Sequence, residues 1–436
     1  MLQPHLVPPA DGISSTLAIN QLVGQLRDNG RRVFHMGFGE APFPVHPRLA
    51  EALRHNVAEK SYLPVAGLPE LREAVAQHYA SLTGIDTNTF DVIVGPGSKS
   101  LLFALQMSIP GDVLLPVPSW VSYAPQCSLL NQQLIPVELD LESTGLSIDS
   151  LALKNAIREA RAAGLTPKKL LLNYPSNPTG LTITEEALAC IAAVCREENI
   201  VLIADEIYGR LSYDHQYRTA AHHLPESTVV TAGLSKHLSL GGWRLGITLI
   251  PKALPGVFDE MCRVASELWS SVASPIQYAA IEAYQGHPDI ETFIRDCTDI
   301  HACVNRYIAH RLRAMGADCP TPQGGFYTWP DFSELLGHTC ETSDDLMQRL
   351  LSDQGVATLA GAAFGEAPST LKLRLAGCDY DGGAALALWP ALKANTEAFI
   401  HAAAPNVIAA LDAIECFVNT NARPHARLTP VSMNAS

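Results

Sequence analysis

The sequence predicts an α/β fold with a mostly parallel, seven-stranded sheet between helices and a smaller α+β domain. From about residue 90, short apolar or β-branched runs alternate with longer segments in which apolar residues return every three or four positions. Such alternation is typical of a mostly parallel sheet with helices on both faces. The length of 436 residues exceeds one ordinary domain, and a hydrophobic fraction of 47% is enough for a large core.

The predicted strands are seven short runs, and helical patterns such as SKSLLFALQMSI and TEEALACIAAVCREEN lie between several of them. The runs are DVIVG (91–95), DVLLPV (112–117), QLIPVEL (133–139), KLLLNY (169–174), IVLIADE (200–206), TVVTAG (228–233) and GITLI (246–250). In a sheet of this kind, ligands bind in the loops at the carboxyl ends of the strands. The polar residues that follow these runs are therefore the first candidates for a site.

Three segments are expected along the chain. Residues 1–45 form an N-terminal arm and part of a small domain, residues 46–290 a large domain, and residues 291–436 a small C-terminal domain. The last segment combines a helical pattern with the short strand-like runs GGFYTWPDF and LKLRLAG. The stretch HAAAPNVIAALDAIECFVN predicts one final helix, and the polar tail NARPHARLTPVSMNAS is expected to fray.

Composition excludes several classes of partner. The chain carries 30 basic and 44 acidic side chains, a net charge of −14, which argues against nucleic acid or an anionic membrane as a partner. Its ten cysteines form no CxxC pair and no metal-ligand spacing, so reduced thiols and no metal site are expected. The start MLQPHLVPPADGISS lacks the pattern of a signal peptide, and no run of ~18 apolar residues occurs. A cytoplasmic protein is expected.

Polar residues follow three of the predicted strands. PSNPTG comes after KLLLNY, DEIY ends the next run, and SK follows TVVTAGL. Asp205 follows four apolar residues, and a carboxylate is costly to bury there without a positive or hydrogen-bonding partner. A protonated ring nitrogen of a cofactor would suit it, although a strand-end aspartate or a helix N-cap gives the same pattern. Tyr208 could reach the same ligand or simply pack in the core.

Lys236 follows an apolar run and precedes Arg244 by eight residues. Such a lysine can be solvated; burial and the neighbouring Arg244 would instead lower its pKa and favour the neutral amine that attacks carbonyls. Gly241 and Gly242 would permit a tight backbone path that returns Arg244 beside the lysine.

A third feature is the glycine-containing turn GPGSKSLLF between a strand and a helix, where backbone N–H groups can hold a phosphate. It matches neither the dinucleotide fingerprint nor the Walker pattern. Trp120, in PSWVSY after the next strand, could stack on a planar ring or belong to the core.

Together, these motifs resemble those of the class I/II pyridoxal-phosphate-dependent aminotransferases of fold type I, the aspartate aminotransferase-like enzymes. The motifs YLPVAGLPELREAVA, GPGSKSLLF, PSWVSYAP, NYPSNPTG, ADEIY, SK with GGWRLG, and KLRLAG occur in the family's order. The resemblance extends from about residue 37 to 378, which is most of the chain. The ordered set is far more specific than any one of its fragments.

The resemblance implies a role for each candidate residue toward pyridoxal 5'-phosphate. Lys236 would form the Schiff base and move the proton, and Asp205 would pair with the ring nitrogen. Tyr208 and Asn177 would bind the ring 3-oxygen, and Trp120 would stack on the ring. The phosphate would be held by Ser98, Lys99, Ser235 and Arg244.

The resemblance also implies substrate contacts and a homodimer. Arg374 would bind the substrate α-carboxylate through a bidentate fork, and Gly39 would let the backbone approach the same carboxylate. Tyr62 would reach the phosphate of the neighbouring subunit. In one aspartate-using subgroup a lysine at the place of Lys99 meets a distal carboxylate, and a lysine that only contacts the phosphate remains the alternative.

The implied activity is the transfer of an amino group from an L-amino acid to a 2-oxo acid by a ping-pong mechanism. A β-lyase or other eliminating enzyme of the same fold would use the same lysine and aspartate. A ligand-sensing module of a transcription regulator would need a DNA-binding region of ~70 residues and basic charge, and neither is found. A nicotinamide-dependent oxidoreductase would need the missing dinucleotide fingerprint.

Overall fold

The structure is a computed structural model that describes residues 14–142 and 144–422. The expectation about the N-terminal leader falls mainly on residues 1–13, outside the described residues. Most of the tail that was expected to fray, from residue 423 onward, also lies outside them.

Strands and helices alternate through the described part of the chain. The strands are β1 Phe34–His35, β2 Phe90–Gly95, β3 Asp112–Val117, β4 Leu134–Glu138, β5 Asp140–Glu142, β6 Gly145–Ser147, β7 Pro167–Asn173, β8 Val201–Asp205, β9 Thr228–Gly233, β10 Gly246–Pro251, β11 Tyr327–Thr328, β12 Val356–Ala357, β13 Leu359–Ala360 and β14 Leu373–Ala376. The helices are α1 Ser15–Asp28, α2 Pro47–Asn56, α3 Pro69–Thr83, α4 Ser98–Ser108, α5 Tyr123–Leu129, α6 Ser150–Ala162, α7 Glu185–Glu198, α8 Val257–Leu268, α9 Ser274–Tyr284, α10 Pro288–Ala314, α11 Ser333–Leu336, α12 Ser343–Gln354, α13 Gly382–Leu392, α14 Thr396–Ala403 and α15 Pro405–Asn421.

The central sheet has seven strands in the order β2-β10-β9-β8-β7-β3-β4. All neighbours are parallel except β10, which is antiparallel to both β2 and β9. The seven predicted runs are the seven strands of this sheet, so the predicted fold class is confirmed.

Both faces of the sheet are buried, which is why its strands read as unbroken apolar runs. In β7, Leu170 and Leu172 belong to the core on one face and Leu171 to the core on the other. In β8, Leu202 and Ile203 divide in the same way. This period of two places successive side chains on opposite faces of the sheet.

The carboxyl ends of the parallel strands meet at one edge of the sheet. Asn173 at the end of β7 is in register with Asp205 at the end of β8. Because β10 runs in the opposite direction, its first residue, Gly246, pairs with both Gly95 and Gly233 at the same edge. This arrangement brings together the residues that follow β8 and β9 and the residues that precede β10.

The smaller lobe contains the antiparallel sheet β11-β14-β13 and a parallel pair between β1 and β12. The helix α1 packs on this lobe through Ile19 and Val23, which contact the cluster around Leu359 and Phe364. The N-terminal part of the described chain therefore folds together with the C-terminal part. The C-terminal part begins with the 27-residue helix α10.

The prediction of one final helix over HAAAPNVIAALDAIECFVN was wrong. The chain forms two helices, α14 and α15, that meet at an angle of 97°. Ala404 leaves the helical region with φ −131° and ψ 50°, and Pro405 is the first residue of α15. Proline lacks the N–H that would continue α14, and its ring disfavours a helical residue before it.

Within the described residues, no single helix is long and apolar enough to cross a membrane. The bent pair of α14 and α15 is the one combination of described helices whose joint length and composition would allow it. The same residues contain no group of three His, Cys, Asp or Glu side chains that could hold a metal ion. All ten cysteines are free thiols.

Candidate active site

A cavity of ≈ 500 Å³ lies at the carboxyl edge of the central sheet, between the two lobes. It is lined by every residue that the sequence singled out except Tyr62, namely Gly39, Ser98, Lys99, Trp120, Asn177, Asp205, Tyr208, Ser235, Lys236, Arg244 and Arg374. Tyr62 is 91% exposed on the surface of this chain, and its predicted contact with a neighbouring subunit stays a prediction.

Lys236 reaches into the middle of the cavity from the loop after β9. Its Nζ donates a 2.8 Å hydrogen bond to the carbonyl oxygen of Gly39 and lies 5.7 Å from the ring centre of Tyr208. Burial lowers the pKa of Lys236 to about 8, in the expected direction. Arg244 also lowers this pKa, as expected, and Arg374 lowers it more. A lysine with this pKa has a larger neutral, nucleophilic fraction near neutral pH than an exposed lysine has.

Asp205 is only 3% exposed at the end of β8. The hydroxyl of Tyr123 donates a 2.7 Å hydrogen bond to its Oδ2, and the N–H of Ile207 donates to its Oδ1 at 3.3 Å. Burial raises the pKa of Asp205 to about 6, and the bond from Tyr123 opposes that rise. No described cation lies within ion-pair distance of this carboxylate. It is therefore a buried acid that a protonated ligand nitrogen would satisfy.

The other end of the cavity is built to receive an anion. The helix α4 begins at Ser98, which lines the cavity, and the N-cap residue Gly97 offers no side chain, so no side chain caps the first N–H groups of α4. The guanidinium of Arg244 lies against Gly97, where a Cβ atom would come within 2.2 Å of Nη2. Ser235 also lines the cavity.

Arg244 reaches this position by its own backbone conformation. It has φ 53° in the left-handed region, whereas Gly241 and Gly242 belong to a short 3₁₀ helix. The sequence had assigned the tight path to the two glycines, and that assignment was wrong. A left-handed conformation at a residue other than glycine is uncommon, and here it turns the guanidinium back toward α4.

Arg374, in β14, is a fully buried guanidinium without an acidic partner among the described residues. Its Nη1 donates to Oδ1 of Asn177 at 3.1 Å, and its Nη2 donates to the carbonyl oxygen of Gly37 at 2.6 Å. Its Nε is buried and has no hydrogen-bond partner. A buried cation with an unused donor is costly in a protein interior unless an anion binds beside it.

Gly39 is required here for a reason that differs from the prediction. A Cβ atom at this position would lie 2.0 Å from the hydroxyl oxygen of Tyr327. The absence of a side chain therefore makes room for Tyr327, while the carbonyl of Gly39 receives Lys236. Approach of a substrate carboxylate to this backbone stays a prediction.

Trp120 stands at the wall of the cavity beside α5. Its ring meets the ring of Tyr123 edge to face, with centres 5.2 Å apart and planes at 85°. The Nζ of Lys99 lies 5.0 Å from the centre of the Trp120 ring. Burial, followed by the charge of Arg244, lowers the pKa of Lys99.

The cavity residues that the sequence reasoning missed include Tyr123, Tyr327, Ser14 and Thr16. Tyr123 and Tyr327 fall in aromatic-rich stretches, where a buried tyrosine is most simply explained by packing. The hydroxyls of Ser14 and Thr16 are buried and have no hydrogen-bond partner. The only signal available for Tyr123 was its place three residues after Trp120, at the first position of α5.

Comparison with known proteins gives a consistent result. The family model for aminotransferase class I and II matches residues 31–382. An aspartate aminotransferase of Geobacillus stearothermophilus is 34% identical over 376 residues, covering 83% of this chain and 92% of the relative. A probable aspartate/prephenate aminotransferase of Rhizobium leguminosarum bv. phaseoli is 32% identical over 375 residues, covering 82% and 90%.

A solved structure supports the same assignment. Aspartate aminotransferase from Thermus thermophilus with maleate superimposes with a TM-score of 0.78 at 27% identity, covering 95% of this chain and 99% of the other. The predicted family and enzyme class are therefore confirmed: the chain belongs to the class I and II aminotransferases.

Proposed function

We propose that this protein is a pyridoxal-phosphate-dependent aminotransferase that moves the amino group of an L-amino acid, with aspartate as the preferred donor, to a 2-oxo acid in a ping-pong cycle. The observation that carries the proposal is the buried guanidinium of Arg374, whose Nε has no partner and which opens into the same cavity as Lys236. The carboxylate of an amino acid would accept the hydrogen bond that this Nε can donate.

The residues of the cavity fit pyridoxal phosphate at both ends. The start of α4, Ser235 and Arg244 form a cradle for a phosphate. Asp205, buried and without a cationic partner, fits a protonated ring nitrogen. Lys236 lies between these two ends with the lowered pKa that attack on a carbonyl carbon requires.

Each side chain then has a distinct part in the reaction. The bound cofactor supplies an electron-withdrawing ring that stabilises negative charge on the substrate α-carbon. Arg374 binds the α-carboxylate and orients the donor, so that its α-hydrogen faces Lys236. The Nζ of Lys236 would take that proton from the donor and return it later in the cycle. Tyr208 and Asn177 would orient the cofactor through its ring oxygen.

Aspartate is proposed as the preferred donor because of other polar groups in the cavity that Arg374 lines. The Nζ of Lys99 makes no ion pair with any described residue, and it shares the cavity with the unpartnered hydroxyls of Ser14 and Thr16. A second carboxylate would satisfy all three. The aspartate aminotransferases of Bacillus subtilis and Geobacillus stearothermophilus are named for that substrate.

A homodimer is part of the proposal. Tyr62 is 91% exposed and lies outside the cavity of its own chain, so a second copy is needed if its hydroxyl is to reach a phosphate. Light scattering of the purified protein tests this point, and Tyr62→Phe should weaken cofactor binding only if the site is shared.

The test of function is a donor panel. Cofactor-loaded protein is incubated with 2-oxoglutarate and one donor at a time, either L-aspartate, L-alanine, L-phenylalanine or the β-substituted donor β-chloro-L-alanine, and the products are identified by mass spectrometry. Phenylalanine is included because an adjoining cavity of ≈ 810 Å³, lined in part by Phe103 and Leu129, could receive an apolar side chain. Oxaloacetate with glutamate is expected as the fastest product pair. Release of ammonia and pyruvate from β-substituted donors, with no amino transfer from any donor, would favour the lyase instead.

A further inference from the structure

Tyr327, in β11, has a place in the site that its sequence did not indicate. Its hydroxyl oxygen lies 2.8 Å from the hydroxyl oxygen of Tyr208, and both residues are almost completely buried. The two rings meet edge to face, with centres 5.7 Å apart and planes at 77°. Because Tyr327 belongs to the small lobe and Tyr208 to the large one, this hydrogen bond joins the lobes inside the cavity.

The same tyrosine touches the substrate side of the site. The guanidinium carbon of Arg374 lies 4.6 Å from the centre of the Tyr327 ring, within the range of a cation–π contact. The hydroxyl of Tyr327 also occupies the space that a side chain at residue 39 would need, beside the carbonyl that receives Lys236. Tyr327 therefore contacts one group expected to bind the cofactor and one expected to bind the substrate.

The chemistry of a phenol limits how the two hydroxyls can share protons. Each has one proton to donate and two lone pairs that accept. Tyr208 can give its proton to a ligand oxygen and remain bonded to Tyr327 only if Tyr327 is the donor in the 2.8 Å bond. A chain of hydroxyls in a buried site polarises along its length, so the second bond becomes stronger.

We infer that Tyr327 is a positioning residue with two separable parts. Its hydroxyl directs the Tyr208 proton toward the ring oxygen of the cofactor, and its ring holds the Arg374 guanidinium in place for the substrate carboxylate. The inference rests on the proposed function, because it assigns Tyr208 to the cofactor and Arg374 to the substrate. Arg374 makes no ion pair with an acidic side chain among the described residues. The Tyr327 ring supports it together with the hydrogen bonds to Asn177 and Gly37, and the Tyr327 ring centre lies closer to the guanidinium than that of Phe364, at 4.6 Å against 5.1 Å.

The two parts predict different effects for two substitutions. Tyr327→Phe removes the hydroxyl and keeps the ring, so the bound cofactor loses part of the stabilisation of its ring oxyanion. The pH midpoint of its visible absorbance should then rise by about 0.5 to 1 unit, the size expected from the loss of one hydrogen bond. Binding of maleate, a dicarboxylate without an amino group, should change by less than about twofold, because the cation–π contact remains.

Tyr327→Leu removes the ring as well. The dissociation constant of maleate should then rise by about tenfold, since a desolvated cation–π contact contributes up to ~2 kcal/mol. The matched control is Tyr307→Phe, which removes a hydroxyl from α10 that accepts only from Arg311 at the surface. This control should leave both the pH midpoint and maleate binding as in the wild type.

The outcomes separate this inference from the proposed function. If the wild-type protein forms no visible complex with pyridoxal phosphate, the proposed function fails and the inference fails with it. If the visible absorbance of the loaded wild type changes with pH, but that of Tyr327→Phe changes with the same midpoint, the role given to the hydroxyl is wrong while the proposed function stands. Loss of maleate binding in Tyr327→Phe would show that the ring alone does not hold Arg374.

Discussion

The hydroxyl of Tyr123 donates a 2.7 Å hydrogen bond to Oδ2 of Asp205, so a residue of α5 helps set the charge of the carboxylate at the end of β8. Burial raises the pKa of Asp205 to about 6, and the Tyr123 bond favours the ionised form. The proposed pairing with a protonated ring nitrogen needs that ionised form. Tyr123 therefore acts on the cofactor through Asp205.

Tyr123→Phe is expected to weaken binding of pyridoxal phosphate by about tenfold, because a hydrogen bond to a charged group contributes ~1.5–3 kcal/mol. The pKa of Asp205 rises further without that bond, so less of the carboxylate is ionised near neutral pH. Titration of the cofactor-free protein, followed by fluorescence, measures the dissociation constant. Tyr307→Phe is the control, and equal dissociation constants for Tyr123→Phe and wild type would contradict the role.

The lowered pKa of Lys236 predicts a particular pH dependence. Only the neutral amine is a nucleophile, and burial places its pKa at about 8 instead of 10.5. Acylation of Lys236 in the cofactor-free protein should therefore rise with pH and reach half of its maximum near pH 8. Competitive labelling with acetic anhydride from about pH 6 to 10, read by mass spectrometry, measures it. The exposed Lys60 serves as the reference for the reagent, and equal profiles for the two lysines would contradict the prediction.

Arg374→Lys should separate substrate binding from cofactor binding. Lysine cannot reproduce a bidentate fork, so kcat/KM for the amino donor should fall by about 10- to 100-fold, with most of the loss in KM. The dissociation constant of pyridoxal phosphate should stay within about twofold, because no phosphate contact is assigned to this side chain. Arg311→Lys, at a surface ion pair with Asp412 and Glu415, is the control. Loss of cofactor from Arg374→Lys would mean that the guanidinium was misassigned.

Lys99→Met distinguishes the two roles considered for that lysine. If Lys99 meets the distal carboxylate, kcat/KM for aspartate should fall by about tenfold or more while that for alanine hardly changes. If Lys99 instead supports the phosphate, both donors should suffer equally and the cofactor should dissociate more easily. The exposed Lys60→Met variant controls for the loss of a positive charge.

The strands of the large lobe could be predicted from the sequence because each one is encoded by a short, continuous run of residues. A strand buried on both faces must be an unbroken apolar run, and the runs that contain Leu171 and Ile203 are of this kind. Since parallel strands end at a common edge, residues after those runs, such as Asp205, were expected to meet. The antiparallel direction of β10, which brings Arg244 to the same edge, was not visible in the run itself.

Contacts between the lobes could not be predicted in the same way. Tyr327 is 119 residues from Tyr208, and nothing in GGFYTWPDF distinguishes a tyrosine that enters the site from one that packs in the core. The bend before Pro405 was missed because the apolar pattern continues on both sides of it. The placement of Tyr327 depends on tertiary contacts that local periodicity does not encode, whereas the bend follows from Pro405, a local signal that the apolar period alone does not contain.

The covalent bond between Lys236 and pyridoxal phosphate is the central claim, and borohydride reduction tests it most directly. The loaded wild-type protein is reduced, digested and examined by mass spectrometry, with Lys236→Ala treated in parallel. The expected result is one phosphopyridoxyl adduct, located on Lys236 and lost in the variant. An adduct on another lysine, or no adduct at all, would contradict the assignment of Lys236.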